Sequence, residues 1–108
     1  MSLFVVRHQH EAERCPARDP QMGAMLLRHI APENARSFGL NIHGEAVVDG
    51  AHTLYLILDA PAQENVARFM QPFAQAGSVD IMPASPCEVV VQRQGCEPAP
   101  AAAGEQAS

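Results

Sequence analysis

Apolar and polar positions follow two kinds of spacing along this chain, and the first is the alternation typical of a strand. Residues 3–10 are strongly apolar at first and end in polar residues, and their side chains divide between two faces as in a β-strand. One face of that strand would carry Phe4, Val6, His8 and His10. Similar runs flank Asp49-Gly50, a dipeptide typical of a hairpin turn, so two further strands are expected on either side of it.

The second kind of spacing is helical. Asp19 and Pro20 suit the N-cap and first position of a helix. The stripe that follows consists of Met22, Met25, Leu26, His29 and Ile30, for which core packing is the expected role. Residues 61–76 repeat the pattern and predict a second helix, with a kink at Pro72 and an end at Gly77.

The last strand-like segment is interrupted by prolines. Residues 78–84 and 87–93 are rich in β-branched residues, and Pro83 and Pro86 lie near and between them. We therefore expect one final strand or two short ones, with Cys87 packed in the interior. From residue 96 to residue 108 the composition is rich in proline and alanine, which predicts a disordered tail.

The resulting element order, β-α-β-β-α-β, predicts the α+β class and a ferredoxin-like domain over residues 1–95. Its four-stranded antiparallel sheet would have the order 4-1-3-2, with both helices on one face. The first and third strands, however, are apolar on both faces. A sheet of that kind needs a cover on its second face, and the simplest cover is a second copy of the chain. We therefore expect a homodimer.

With this element order and these two-sided strands, the chain resembles the dimeric α+β-barrel superfamily of small bacterial proteins. The series HQH…CP…MGAMLL…GEAVVDGAHTLY…FMQPFAQAGSV is also similar to an uncharacterised bacterial family of that kind. The resemblance implies sheets packed face to face in a dimer. It implies no particular activity, because the superfamily includes haem enzymes, cofactor-free monooxygenases, metal-binding proteins and ligand sensors.

Composition narrows the choice of partners. The formal net charge is −5, and the seven cations are scattered arginines, which argues against nucleic acid as a partner. No apolar run is long enough to cross a membrane, and the N-terminus lacks the features of a signal peptide, so a cytoplasmic location is expected. Three cysteines fit a reducing compartment better than a disulfide framework.

The candidate chemistry lies where the first strand ends. Strands 1 and 3 are expected to be antiparallel neighbours, which brings His8 and His10 to the same edge as His52 at the start of strand 3. Cys15 follows in the loop that leaves strand 1. Three imidazoles and a thiolate suit zinc, copper, nickel or iron, so we predict a transition-metal site formed by His8, His10, His52 and Cys15.

Two other functions fit the same residues. The chain would serve as a cofactor-independent enzyme or small-molecule binder if an apolar cavity had His8 or His52 at its mouth as an acid–base residue. It would be a non-catalytic interaction module if the sheet served only for assembly. Glu11, Glu13 and Asp80 are nearby, but none is placed as an obvious general base, and this favours binding over catalysis.

Overall fold

Four antiparallel strands form the centre of the molecule in the computed structural model, which describes residues 1–98. They are β1 Ser2–His10, β2 Asn41–Val48, β3 Thr53–Ala60 and β4 Gly77–Ala84. Their order in the sheet is β2-β3-β1-β4, which is 4-1-3-2 when it is counted from the β4 edge. The prediction of an α+β chain with a four-stranded antiparallel sheet is confirmed.

Five short α-helices connect or follow the strands within the described residues. They are α1 Pro20–His29, α2 Pro32–Ser37, α3 Gln63–Phe69, α4 Gln71–Ala74 and α5 Cys87–Gln92. The start of α1 is as predicted, since the Asp19 side chain accepts a hydrogen bond of 2.9 Å from the backbone N–H of Gln21. Two 3₁₀ turns, Ala12–Arg14 and Pro16–Arg18, precede α1.

The core lies between one face of the sheet and the helices that follow β3. Phe4 and Val6 on β1 are buried beside Leu54, Leu56 and Leu58 on β3. The helices contribute Val66, Phe69, Met70 and Phe73 to this buried cluster. The predicted second helix is divided at Met70, two residues before Pro72, because proline cannot continue the hydrogen-bonding pattern of the preceding turn.

The prediction of a strand over residues 87–93 is wrong, because this segment begins the helix α5. The Pro86 carbonyl accepts hydrogen bonds from the N–H groups of Val89 and Val90, at 3.0 and 3.1 Å, and so starts a helical turn. Cys87 is exposed there, not packed in the interior. A short apolar run fits either a strand or a helix by its spacing, and the proline boundary favoured the helix.

Two other expectations about packing are corrected. Gly77 does not cap a helix but opens β4, where it pairs with His10. Met22 and Met25 are not core residues, because they are 48% and 55% exposed. No residue of α1 is fully buried, so its apolar stripe closes only loosely over the core.

The other face of the sheet remains open to solvent in the single chain. Met82, Val5 and Ile57 form an apolar row across three adjacent strands, and Ile57 is 45% exposed. Polar pairs border this row: Arg7 lies 3.2 Å from Asp80, and His43 lies 2.6 Å from Asp59. The central strands thus carry apolar residues on both faces of the sheet, and in the single chain the helices cover only one of these faces.

No helix among residues 1–98 has both the length and the apolar character needed to cross a membrane. The predicted disordered tail, residues 96–108, lies outside the described residues except for its first three positions.

Candidate metal centre

The antiparallel pairing of β1 with β3 joins two of the predicted ligands. His10 is the last residue of β1, and His52 immediately precedes β3. The backbone N–H of His10 donates a 3.1 Å hydrogen bond to the carbonyl of His52. Their rings lie edge to face with centroids 5.3 Å apart. His10 and His52 are distant in sequence but meet at the end of the sheet where the sequence pattern predicted them.

Cys15 completes a cluster of three. It lies between the two 3₁₀ turns, and the first of these turns directs the chain back toward the end of β1. One ligand atom from each of His10, Cys15 and His52 lies within 4.8 Å of the other two. All three side chains are partly buried. We call these residues the His10 triad.

The His10 ring has no hydrogen-bonding partner. Both of its nitrogens, Nδ1 and Nε2, are buried from solvent and unpaired among the described residues. A buried polar atom without a partner costs about 1–3 kcal/mol, so native structures contain few of them. An ion at the centre of the triad would give one of these nitrogens a ligand bond.

His52 has an unusual backbone conformation. Its φ angle is +50°, in the left-handed region that non-glycine residues seldom adopt. Histidine tolerates this region better than most residues, but the strain for a residue with a β-carbon is still of the order of 1 kcal/mol. His52 follows the turn that contains Asp49 and Gly50, and in this conformation its ring lies beside His10.

Burial favours the neutral, metal-competent form of His10. The pKa of His10 is lowered, chiefly because burial penalises the imidazolium ion and secondly because His52 is a nearby cationic group when protonated. Since only a neutral imidazole offers a lone pair to an ion, the lowered pKa extends the pH range in which His10 can act as a ligand.

His8 does not belong to the cluster, although the sequence pattern placed it there. Its ring is close to that of His10, with centroids 5.3 Å apart, but its Nδ1 lies 3.1 Å from the carbonyl oxygen of Ser78. Because a carbonyl only accepts, Nδ1 donates. The pKa of His8 is lowered by burial, against the opposing effect of this hydrogen bond. His8 instead lines a separate apolar cavity together with Phe73.

The remaining histidines and cysteines do not belong to the triad. His29 packs in the core, with Nε2 2.7 Å from the Phe69 carbonyl oxygen and its ring stacked on Phe69. His43 lies on β2 and pairs with Asp59. Cys87 and Cys96 are exposed free thiols. His43 and Cys87 therefore provide matched controls for the proposed ligands.

An open cleft of about 560 Å³ borders His10, the one member of the triad that lines it. Glu11 and Arg14 also line it, so the cleft has no strong excess of charge of one sign. Asp80, which was expected near the site, pairs with Arg7 on the open face of the sheet instead. No carboxylate joins the three ligand atoms in the described part of the chain.

Comparisons with known proteins do not indicate a function, so any functional conclusion depends on the geometry of this site. No protein-family profile matches the chain, and searches of curated proteins and of solved structures also return no match. The resemblance to the dimeric α+β-barrel superfamily therefore has no independent support. The structure shows a small α+β fold with a four-stranded antiparallel sheet and a His/Cys/His cluster where β1 ends and β3 begins.

Proposed function

We propose that this chain binds a transition-metal ion through His10, Cys15 and His52. The observation that carries the proposal is the buried, unpaired imidazole of His10 beside a second imidazole and a thiol. A merely structural histidine would satisfy at least one ring nitrogen, as His8 and His29 do.

The donor set limits which ions fit. Two imidazoles and one thiolate suit zinc, copper, nickel or iron, whereas magnesium and calcium prefer oxygen donors. With metal–ligand bonds of about 2.0–2.3 Å, ligand atoms in a tetrahedral site are about 3.5 Å apart. The triad, at up to 4.8 Å, would have to close by about 1 Å, which side-chain rotation in the Cys15 segment can supply.

Three protein ligands leave one coordination position for water or an exchangeable group. Such a site suits reversible binding, in which the protein stores, senses or buffers the ion. Since the triad includes no carboxylate as a general base, we propose binding and not catalysis as its function. A reducing compartment, expected from the odd number of cysteines, would keep the Cys15 thiol available.

The proposal is tested by titrating the untagged, full-length protein with zinc and measuring the binding by calorimetry. We expect one ion per chain, and at least tenfold weaker binding in each of His10→Ala, Cys15→Ser and His52→Ala. Cobalt(II) provides a second measurement, because coordination by Cys15 would give a thiolate-to-metal absorption band that Cys15→Ser lacks.

Matched controls exist on the same chain. His43→Ala and Cys87→Ser remove the same side-chain types far from the triad and should leave zinc affinity unchanged. If the wild-type protein binds no zinc, copper, nickel or iron, or if the control variants lose as much affinity as the triad variants, the proposal is wrong. In that case the expectation of a non-catalytic interaction module gains weight.

We propose in addition that two copies pair through the open face of the sheet, as in the α+β barrels that the sequence resembles. The apolar row of Met82, Val5 and Ile57 supports this, because a sheet with one apolar face in water gains free energy by covering it. Sedimentation of wild-type protein and Ile57→Asp tests it. A wild-type monomer at micromolar concentration would contradict the proposal.

A further inference from the structure

A second site lies between α1 and the core, where the loosely packed helix leaves a cavity of about 210 Å³. Its walls are mainly apolar, formed by side chains of α1, of α4 and of the neighbouring loops: Pro16, Met22, Met25, Leu26, Pro72 and Phe73. Met22 and Met25 are about half exposed, and their flexible side chains can adjust to an occupant. We call this space the α1 cavity.

One buried polar group on the wall is incompletely paired. His8 is only 3% exposed, and its Nδ1–H donates to the Ser78 carbonyl. The neutral ring therefore carries a lone pair on Nε2, which has no protein partner among residues 1–98. His29 also lines the cavity, but its Nε2 already bonds to the Phe69 carbonyl. The cavity thus offers an occupant one hydrogen-bond acceptor, on a side chain that is itself almost fully buried.

The size of the cavity indicates the scale of ligand it can take. An apolar cavity of about 150 Å³ is known to accept benzene, so 210 Å³ has room for one ring and a small substituent. The His8 ring meets Phe73 edge-on, with centroids 5.2 Å apart, and a further ring would extend this aromatic packing. A carboxylate does not fit the acceptor, because it would bring a second lone pair toward Nε2.

We propose that the α1 cavity binds a small apolar molecule that carries one hydroxyl group, of which phenol is the simplest example. The ring packs against Leu26 and Phe73, and the hydroxyl donates to His8 Nε2. Arg14, which is exposed and also lines the cavity, lies on its solvent side. This site is separate from the metal function, since it uses no atom of the His10 triad.

Phenol and toluene form the deciding pair of probes, because they have nearly the same shape and only phenol donates a hydrogen bond. Each is titrated into the full-length protein with a chelator present, so that metal binding does not enter, and the methyl groups of Met22 and Met25 are followed by NMR. We expect saturable shifts at these methyl groups with phenol, and about fivefold weaker binding of toluene, the effect of one neutral hydrogen bond.

Two variants separate the parts of the proposal. Ala76→Phe places a ring at the cavity wall and should abolish binding of both probes, whereas the matched change Val91→Phe on the exposed helix α5 should not. His8→Leu should remove the preference for phenol and leave toluene binding. Equal affinities for both probes in the wild type, methyl shifts that do not saturate, or unchanged binding in Ala76→Phe would each overturn the proposal.

Discussion

Gly77 lies so close to Gln9 that a β-carbon at position 77 would overlap the Gln9 carbonyl group. This contact occurs where β4 begins and β1 ends, one position from the proposed ligand His10, with which Gly77 pairs. Glycine is therefore required here for close approach of two strands, and not for a left-handed turn.

The first prediction is that Gly77→Ala destabilises the protein by about 1–3 kcal/mol, because the two strands must separate to admit a methyl group. It should also weaken zinc binding, since the end of β1 carries His10. Urea unfolding and zinc calorimetry measure the two effects. Gly44→Ala is the control, because a β-carbon there meets no atom within 4 Å. Equal stability of the two variants would show that the β1–β4 contact is not tight.

The second prediction separates the ligand role of His52 from its backbone role. His52→Gly and His52→Ala both remove the imidazole, so both should lose zinc affinity to the same extent. Only glycine is at ease with a φ angle of +50°, so His52→Gly should be the more stable of the two by about 1 kcal/mol. Thermal unfolding without metal measures this difference. The reverse order of stability would mean that the turn relaxes in the variants.

The third prediction concerns pH. Burial lowers the pKa of both His8 and His10 below the ordinary value of 6.5 that they regain on unfolding. The unfolded chain therefore binds more protons in mildly acidic solution, and the free energy of unfolding should fall as pH decreases through 6.5. The loss is complete once the pH is below the folded-state pKa values.

Chelator-treated protein unfolded by urea between pH 5 and pH 8 tests this dependence. The groups near His8 that also titrate or carry charge are His10, His29 and Arg14, so single variants are needed to assign the effect. His8→Leu should flatten the pH profile, whatever its effect on absolute stability. A stability that rises toward acid pH would contradict the assignment.

The fourth prediction is that zinc stabilises the native state. At a free zinc concentration about 100 times the dissociation constant, the free energy of unfolding should rise by about 2.7 kcal/mol. Cys15→Ser should reduce this gain, while Cys87→Ser should keep it. The gain should also shrink in acid, because protons compete with the ion for imidazole and thiolate. An unchanged gain in Cys15→Ser would remove that residue from the ligand set.

The sequence was sufficient to predict that three of the four candidate ligands meet, because strand pairing brings His10 to His52 and Cys15 follows in the short loop that leaves β1. It could not separate His8 from His10, which alternate onto the same face of β1. The difference comes from Ser78, whose carbonyl reaches the His8 ring only through the β1–β4 register. No local signal in the sequence marks a backbone carbonyl for that role.

The sequence also predicted some elements of the fold correctly and others wrongly. Alternating spacing predicted the strands, and Asp19 and Pro20 predicted the start of α1. The error at Cys87–Gln92 arose because β-branched residues favour strands by propensity, while a preceding proline and the end of the sheet decided for a helix. The exposure of Met22 and Met25 depends on how closely α1 packs, which helical spacing does not specify.

The segment between β1 and α1 is folded into two single turns that bury no residue, and Cys15 lies between them. Their order rests on local hydrogen bonds and on Arg18, whose guanidinium reaches the Ala12 carbonyl. An ion bound by His10, Cys15 and His52 would link this segment, through Cys15, to the ends of β1 and β3. Binding of the ion would then act on this surface segment, which buries no residue, and not on the core.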